Sequence, residues 1–439
     1  MVLPPELLSH IFSHLEPLTV LKCESVSKDW QYATGTQYHW KRLFFSQFKA
    51  PEHRAYTSER ASDEEAYPEV HWKSRWKAHM LLSKRWMIGD ASAFYMEGHS
   101  DNIYCVQFDD EKIVTGSKDR TIRIWSTRSA QCVRILGMPL RQFNPAELED
   151  LPAMAKPSPR TVHHSSHPSP TMTTILPFCH GGSILCLQYD DRNMVTGSSD
   201  NSMIIWEKDS AFDFKPIERL TRHTKGVLDV SFDHEHIVSC SKDNTICVWS
   251  RDGATFLRTL EGHRGPVNAV KLKGELVVSA SGDTVVKLWN IRTGLCLKEF
   301  SRSSRGLACV EINLDLQRIW AGGNDHDIYE FDSEDGSNVR KIGSHADLVR
   351  SLHLDRKNGR LVSASYDSTI KIFNMHGESQ NPINLRDWSA SWILGAKADY
   401  RRIVATSQDR RVIIVDFGHG IENIEALDPA SYRSLLTDK

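Results

Sequence analysis

At 439 residues the chain is longer than one typical domain. Its near balance of 54 Lys plus Arg against 56 Asp plus Glu excludes holding nucleic acid by bulk electrostatics, so any anion binding must be local. The nine cysteines are odd in number, scattered and free of any C-x-x-C pair, a usage expected of a reduced cytoplasmic or nuclear chain. The opening MVLPPELLSHIF has no basic n-region, and no run of about 18 apolar residues follows, so neither secretion nor a membrane is expected.

Residues 1–48 predict three or four short helices. Pro4 and Pro5 can start the first, and Leu7, Leu8, Ile11, Phe12 and Leu15 form a helical stripe that Pro17 ends. Leu18, Leu21, Val26, Trp30, Trp40, Leu43, Phe44 and Phe48 extend the apolar set. A segment this small cannot bury so many large side chains alone, so part of the surface should await a partner. The leading Leu-Pro, the Leu-rich helix and Val26-x-x-x-Trp30 resemble the F-box. That resemblance implies docking on a Skp-type adaptor, and through it a cullin-RING ligase, by Leu3, Pro4, Leu7, Leu8, Ile11 and Leu15. With the F-box starting at residue 3, no preceding dimerisation segment is expected. Residues 49–90 read as a linker: a polar, acidic stretch, then Trp72, Trp76 and Met80 at four-residue spacing, which predicts a helix setting the angle between two domains.

From residue 91 to 417 the pattern changes to repeats. IVTGSKDRTIRIW ends at Trp125, MVTGSSDNSMIIW at Trp206, IVSCSKDNTICVW at Trp249 and VVSASGDTVVKLW at Trp289, with weaker copies ending at Phe331, Phe373 and Val415. Seven units are countable, and from Trp206 they step by 43, 40, 42, 42 and 42 residues, the period of a four-stranded propeller blade. His99, Thr115, Asp119 and Trp125 recur as His180, Thr196, Asp200 and Trp206, as His223, Ser239, Asp243 and Trp249, and as His263, Ser279, Asp283 and Trp289. Recurrence at one spacing in four consecutive units makes these residues structural rather than a catalytic triad. They resemble the WD-repeat family, which links the four side chains by hydrogen bonds in each blade. In the later blades Ser303 and Ala321 replace His and Ser, and the seventh keeps mainly Asp409. The expected fold is therefore an all-β seven-bladed WD-repeat propeller preceded by a small all-α F-box and a helical linker. Residues 91–97 should close the ring by completing the last blade. Residues 137–178 hold eight prolines and predict a disordered insertion. Its His163, His164 and His167 have no fixed geometry, so no metal site is expected, and no cofactor. Residues 418–439 form a C-terminal tail.

In each blade the residue before the turn Asp and those opening the innermost strand should share one rim: Tyr104 and Lys118, Ser183 and Ser199, Leu228 and Lys242, Asn268, Arg305 and Gly306, Arg350 and Tyr366, then Trp392. This rim is basic and hydroxyl-rich and suits a phosphate or carboxylate on a peptide. The propeller resembles that of the beta-transducin repeat-containing proteins, F-box receptors for doubly phosphorylated Asp-Ser-Gly degrons. The match is carried by NIYCVQFDDEKIVTGSKD, HGGSILCLQYDDRNMVTGSSD, GHRGPVNAVKLKGELVVSASGD and SSRGLACV. The resemblance implies that Tyr104, Lys118, Ser183 and Ser199 hold the first phosphate and that Arg305 and Gly306 meet the second. Arg350 and Tyr366 would take the acidic residue, and Leu228, Asn268 and Ala308 line the floor. Lys118 and Ala390 stand where that family has Arg. The function expected is a non-catalytic subunit of an SCF-type ubiquitin ligase that reads phosphorylated substrates in the cytoplasm or nucleus; the alternative is a ligase-independent scaffold.

Overall fold

The computed structural model describes residues 7, 10–12, 14–48, 71–137, 162–164, 172–174, 178–301, 303–334, 336, 340–375 and 381–427. The chain divides into two compact units, Ala91–Phe417 and a smaller one made of Met1–Asp90 with Gly418–Lys439.

In the smaller unit Leu7 and residues 10–12 are helical, and helices Pro17–Cys23, Lys28–Thr34 and Gln37–Phe48 follow. Pro17 occupies the first turn of its helix, where a missing N–H costs nothing. Ser27 caps the next by accepting a hydrogen bond from the Trp30 amide. Phe12, Cys23 and Ala33 form the buried centre, with Leu15 and Trp30 packed against it. The helix Trp72–Ile88 is not a free linker. Trp76 tilts against Trp40 at 5.4 Å between ring centroids, Trp72 and His79 flank Phe44, and Lys73 pairs with Glu24. Aromatic area on two facing helix stripes packs the 72–88 helix into the smaller unit. Residues 424–427 also pack against this helix, and Arg85 donates to the His419 carbonyl.

The larger unit is seven antiparallel blades whose innermost strands are Ile103–Phe108, Ile184–Tyr189, Val227–Phe232, Val267–Lys273, Leu307–Asn313, Val349–Asp355 and Ile393–Ala398. Each innermost strand packs beside the next, and the seventh returns to the first. Ser92–Glu97 pairs with Arg411–Asp416 in antiparallel register, Ser92 opposite Asp416 and Glu97 opposite Arg411, closing the ring as its sequence position predicts. Most of the 137–178 insertion lies outside the described residues, but two segments in it are strands rather than disordered chain. Val162–His164 pairs in parallel with 93–95 and Met172–Thr174 with 134–136, adding a fifth strand to blades seven and one.

One turn recurs in all seven blades. After Asp119, Asp200, Asp243, Asp283, Asp325, Asp367 and Asp409 comes a non-glycine residue in the left-handed region, from Arg120 at φ 69° to Arg410 at φ 71°. In six of these turns the Asp carboxylate accepts the amide two residues on, which offsets the strain by fixing the turn.

Candidate functional site: the mouth of the central channel

The residues that most resemble catalytic machinery are locked inside the blades. In blade one Trp125 donates to Thr115 Oγ1 at 2.9 Å, Thr115 meets His99 Nε2 at 2.8 Å, and His99 Nδ1 lies 2.8 Å from Asp119. Blades two and four repeat this chain completely, and His345 in blade six keeps its Asp367 and Ser363 contacts. Burial holds the His99, His223 and His263 imidazoles below their usual range, in the neutral form. Burial alone would raise Asp119, but hydrogen bonds from His99, Thr121 and the Ser100 amide hold it well below the usual carboxylate range. Thr115, Thr196, Ser239 and Ser279 are fully buried, so these hydroxyls cannot meet a substrate. Blade three departs from the expected chain. His223 contacts Ser239 and Asp243, but the Trp249 ring meets Phe256 edge to face at 5.3 Å and its buried N–H has no partner among the described residues. In blade five Tyr329 and Ser303 both donate to Asp325, replacing the absent His.

The mouth is built by a hydrogen bond repeated seven times. The amide of the residue before each turn Asp donates to a carbonyl at the start of the innermost strand: Lys118 to Asn102, Ser199 to Ser183, Lys242 to Gly226, Gly282 to Pro266, Asn324 to Gly306, Tyr366 to Leu348 and Gln408 to Trp392, at 2.8 to 3.1 Å. Two residues past each carbonyl the strand turns a side chain into the channel, giving Tyr104, Leu185, Leu228, Asn268, Ala308, Arg350 and Leu394. The equivalence therefore places Lys118, Ser183, Ser199, Lys242, Gly306, Tyr366 and Trp392 on the ring, and Tyr104, Leu228, Asn268, Ala308 and Arg350 just inside a channel of about 450 Å³. Arg305 precedes Gly306 and is exposed. The same register adds Asn324 and Gln408, which the sequence reading missed because blades five and seven lack the complete His-Ser-Trp pattern.

The members of this ring differ in what they leave available. Lys242, Arg305 and Arg350 have no ion pair among the described residues, whereas Lys118 lies 3.3 Å from Asp101 and carries its own counter-ion. Ser199 Oγ accepts the Ser183 amide at 2.8 Å, which fixes the loop and leaves its hydroxyl proton to donate elsewhere. A Cβ at Gly306 would lie 3.0 Å from Gly282 Cα, so Gly306 allows the loops of blades four and five to meet. Asn268 spends an amide N–H on the Leu307 carbonyl at 2.6 Å, and Leu228 packs on the core between blades three and four. Tyr366 and Trp392 stack with centroids 4.4 Å apart, and Trp392 remains 43% exposed.

In the smaller unit Leu7 and Ile11 are 52% and 44% exposed. Leu15 is half-buried, and Leu3, Pro4 and Leu8 lie outside the described residues. Leu18, Val26 and Tyr32 add exposed apolar surface beyond the expected adaptor set. No helix among the described residues is long and apolar enough to cross a membrane.

Comparison with known proteins returns both halves of this description. The F-box-like family matches residues 1–46, and the family "WD domain, G-beta repeat" matches 92–126, 171–207, 214–250, 254–290 and 336–374. The chain is 26% identical over 319 residues to a guanine nucleotide-binding protein subunit beta of Arabidopsis thaliana, covering 64% of this chain and 83% of that one. It is 27% identical over 138 residues to F-box/WD repeat-containing protein 7 of Drosophila melanogaster, covering 31% of this chain and 10% of that one. It is 27% identical over 157 residues to the probable E3 ubiquitin ligase complex SCF subunit sconB of Arthroderma otae, covering 30% and 23%. The chain thus spans under a quarter of the length of either of these last two relatives. The crystal structure of the WD40 beta propeller domain of Doa1 superposes with a TM-score of 0.56 at 21% identity, covering 73% of this chain and 95% of that one, which supports the propeller fold.

Proposed function

From an F-box-like segment and a WD-repeat propeller on one chain, we propose that this protein is a non-catalytic substrate receptor of an SCF-type ubiquitin ligase that acts in the cytoplasm or nucleus. The co-occurrence of the two families carries the reading, and similarity to named F-box/WD and SCF subunits supports it. The exposed Leu7 and Ile11, with Leu3, Pro4, Leu8 and Leu15, dock on a Skp-type adaptor that connects to a cullin. An apolar helix face that one small unit leaves uncovered is what such docking requires.

The propeller mouth takes a phosphorylated peptide. Three cations without ion-pair partners among the described residues, Lys242, Arg305 and Arg350, belong to a mouth that seven backbone hydrogen bonds hold rigid. Fixed Arg donors favour a phosphate over a single carboxylate because it carries about twice the negative charge and a third acceptor oxygen. Arg305 serves one phosphate; Arg350 and Tyr366 serve an acidic group, and Ser183, Ser199 and Tyr104 supply neutral donors. Lys118 is the weaker contributor, because Asp101 competes for it. Pull-down from lysate tests the ligase reading: the intact chain should retain adaptor and cullin, and a chain with both Leu7→Ala and Ile11→Ala should lose both. Retention of neither by the intact chain would favour a ligase-independent scaffold.

A further inference from the structure

Outside the mouth, the same face of the propeller is unevenly charged. In each blade the loop entering the innermost strand lies against the turn that carries the Asp. In blades three and four the Thr224 and Arg264 amides donate to Asp243 and Asp283 at 2.9 and 2.8 Å. The Lys225 carbonyl accepts the Ser241 hydroxyl at 2.9 Å, and the Arg305 carbonyl accepts that of Ser303. These bonds fix the backbones and leave the long side chains outside. Arg222, Lys225, Lys242, Arg264 and Arg305 are all exposed, and none forms an ion pair among the described residues. The acids of the same loops do not neutralise them. Asp243 and Asp283 are committed to His223 and His263 inside the blades, and Asp325 accepts from Ser303 and Tyr329. Among the described residues of loops 222–226, 242–245, 261–266, 282–284, 303–306 and 324–326, Glu261 is the one exposed acid.

At the opposite end of the same three blades the pattern reverses, since Arg251 pairs with Asp190, Arg292 with Glu275 and Arg318 with Asp332. The chain as a whole is slightly acidic, with 54 Lys plus Arg against 56 Asp plus Glu, so the excess of cations belongs to this face. Like charges held side by side repel, and a chain of opposite charge laid across them relieves that repulsion. We propose that the loop face of blades three to five docks an Asp- and Glu-rich stretch of the substrate that flanks its phosphorylated motif. The inference rests on the phosphopeptide reading, because Lys242 and Arg305 belong to both surfaces and join the acidic stretch to the mouth. Gly306 lies so close to Gly282 that a Cβ there would stand 3.0 Å from the Gly282 Cα, which makes the surface continuous from blade four to blade five. Single-stranded nucleic acid is held by aromatic platforms among cations. The described residues of these loops include no Phe, Tyr or Trp, and the nearby Phe256 ring has the Arg222 guanidinium over it at 4.5 Å, so an acidic peptide is the better fit.

Fluorescence anisotropy of the intact chain with a labelled, doubly phosphorylated Asp-Ser-Gly peptide tests the assignment. The peptide is used alone and extended at either end by about six glutamates, which reach roughly 20 Å as an extended chain. At about 0.1 M salt one extension should tighten binding roughly three- to tenfold, as several exposed ion pairs together would. Salt at about 0.5 M should erase that gain. Lys225→Gln with Arg264→Gln should remove most of it and change the affinity of the unextended peptide by less than about twofold, since neither residue belongs to the mouth. Arg222→Gln with Lys225→Gln replaces that pair if it fails to fold. No gain from either extension, or a gain that survives the substitutions, overturns the acidic-flank surface and leaves the mouth reading standing. Failure of every phosphorylated peptide to bind overturns both. A single-stranded oligonucleotide of similar length that binds tighter than the extended peptide, and loses binding in the variant, also overturns the assignment.

Discussion

Tyr366 and Trp392 lie ring on ring across the boundary of blades six and seven, with centroids 4.4 Å apart and planes 3° from parallel. Each residue also takes part in one of the seven hydrogen bonds of the mouth, Tyr366 through its amide and Trp392 through its carbonyl, so the aromatic pair is fixed at both backbones. The face of Trp392 not covered by Tyr366 is a ready platform at the mouth, where the residue is 43% exposed. Trp392→Ala should lower peptide affinity about three- to tenfold, within the ~0.5–1.5 kcal/mol of an aromatic contact, with little change in melting temperature. Fluorescence anisotropy with a labelled phosphopeptide measures it.

The blade networks make a paired prediction about stability. Trp289 donates to Ser279 at 2.9 Å, whereas the Trp249 N–H is buried without a partner among the described residues. Trp289→Phe loses a hydrogen bond as well as ring area, and Trp249→Phe removes an unpaired donor. The first should cost about 1–3 kcal/mol more than the second, read from urea unfolding midpoints of the two variants.

Acid should destabilise the propeller in two stages. His99, His223 and His263 sit below their usual value through burial, so the unfolded chain binds protons that the folded one refuses. Stability is therefore complete above about 6.5 and falls as the pH drops below it. The turn carboxylates Asp119, Asp200, Asp243, Asp283 and Asp367 are depressed, because hydrogen bonds outweigh burial. Their contribution is complete above about 3.9 and is lost below it. Calorimetry from pH 8 to 3 should show a steady melting temperature above 6.5, a decline below it and a steeper one below 4.

Leu7→Ala together with Ile11→Ala should change the melting temperature by no more than ~2 °C, since both side chains are about half exposed and little buried area is lost. Loss of adaptor binding without loss of structure separates a docking role from a packing one, and differential scanning fluorimetry of the doubly substituted chain checks it.

The propeller was legible because its signal is repeated: seven turns with Asp at one spacing fix the blade count even where Ser303 or Phe373 breaks the pattern. Ring closure by Ser92–Glu97 followed from one strand of sequence left over before the first blade. The helix Trp72–Ile88 was also legible as a helix, but its partners were not. Aromatic residues at four-residue spacing show that a face is buried without saying against what, and Trp40 and Phe44 proved to be the answer. At the mouth, residue type was visible and availability was not. Lys118 and Lys242 read alike in sequence, yet among the described residues only Lys118 meets an acid, because Asp101 comes from the loop before the innermost strand. Asn268 read as part of the floor, and the bond that its amide gives to the Leu307 carbonyl was not visible. The Asn268–Leu307 pairing joins adjacent blades across 39 residues, beyond any local pattern.

The most direct test of the receptor reading is calorimetric titration of the intact chain with a doubly phosphorylated Asp-Ser-Gly peptide and with the same peptide after phosphatase treatment. The phosphorylated form should bind at least about tenfold tighter, equivalent to ~1.4 kcal/mol, and Arg305→Ala with Arg350→Ala should remove most of that difference. Equal binding of the two forms, or a preference that survives both substitutions, would contradict a phosphate-reading mouth.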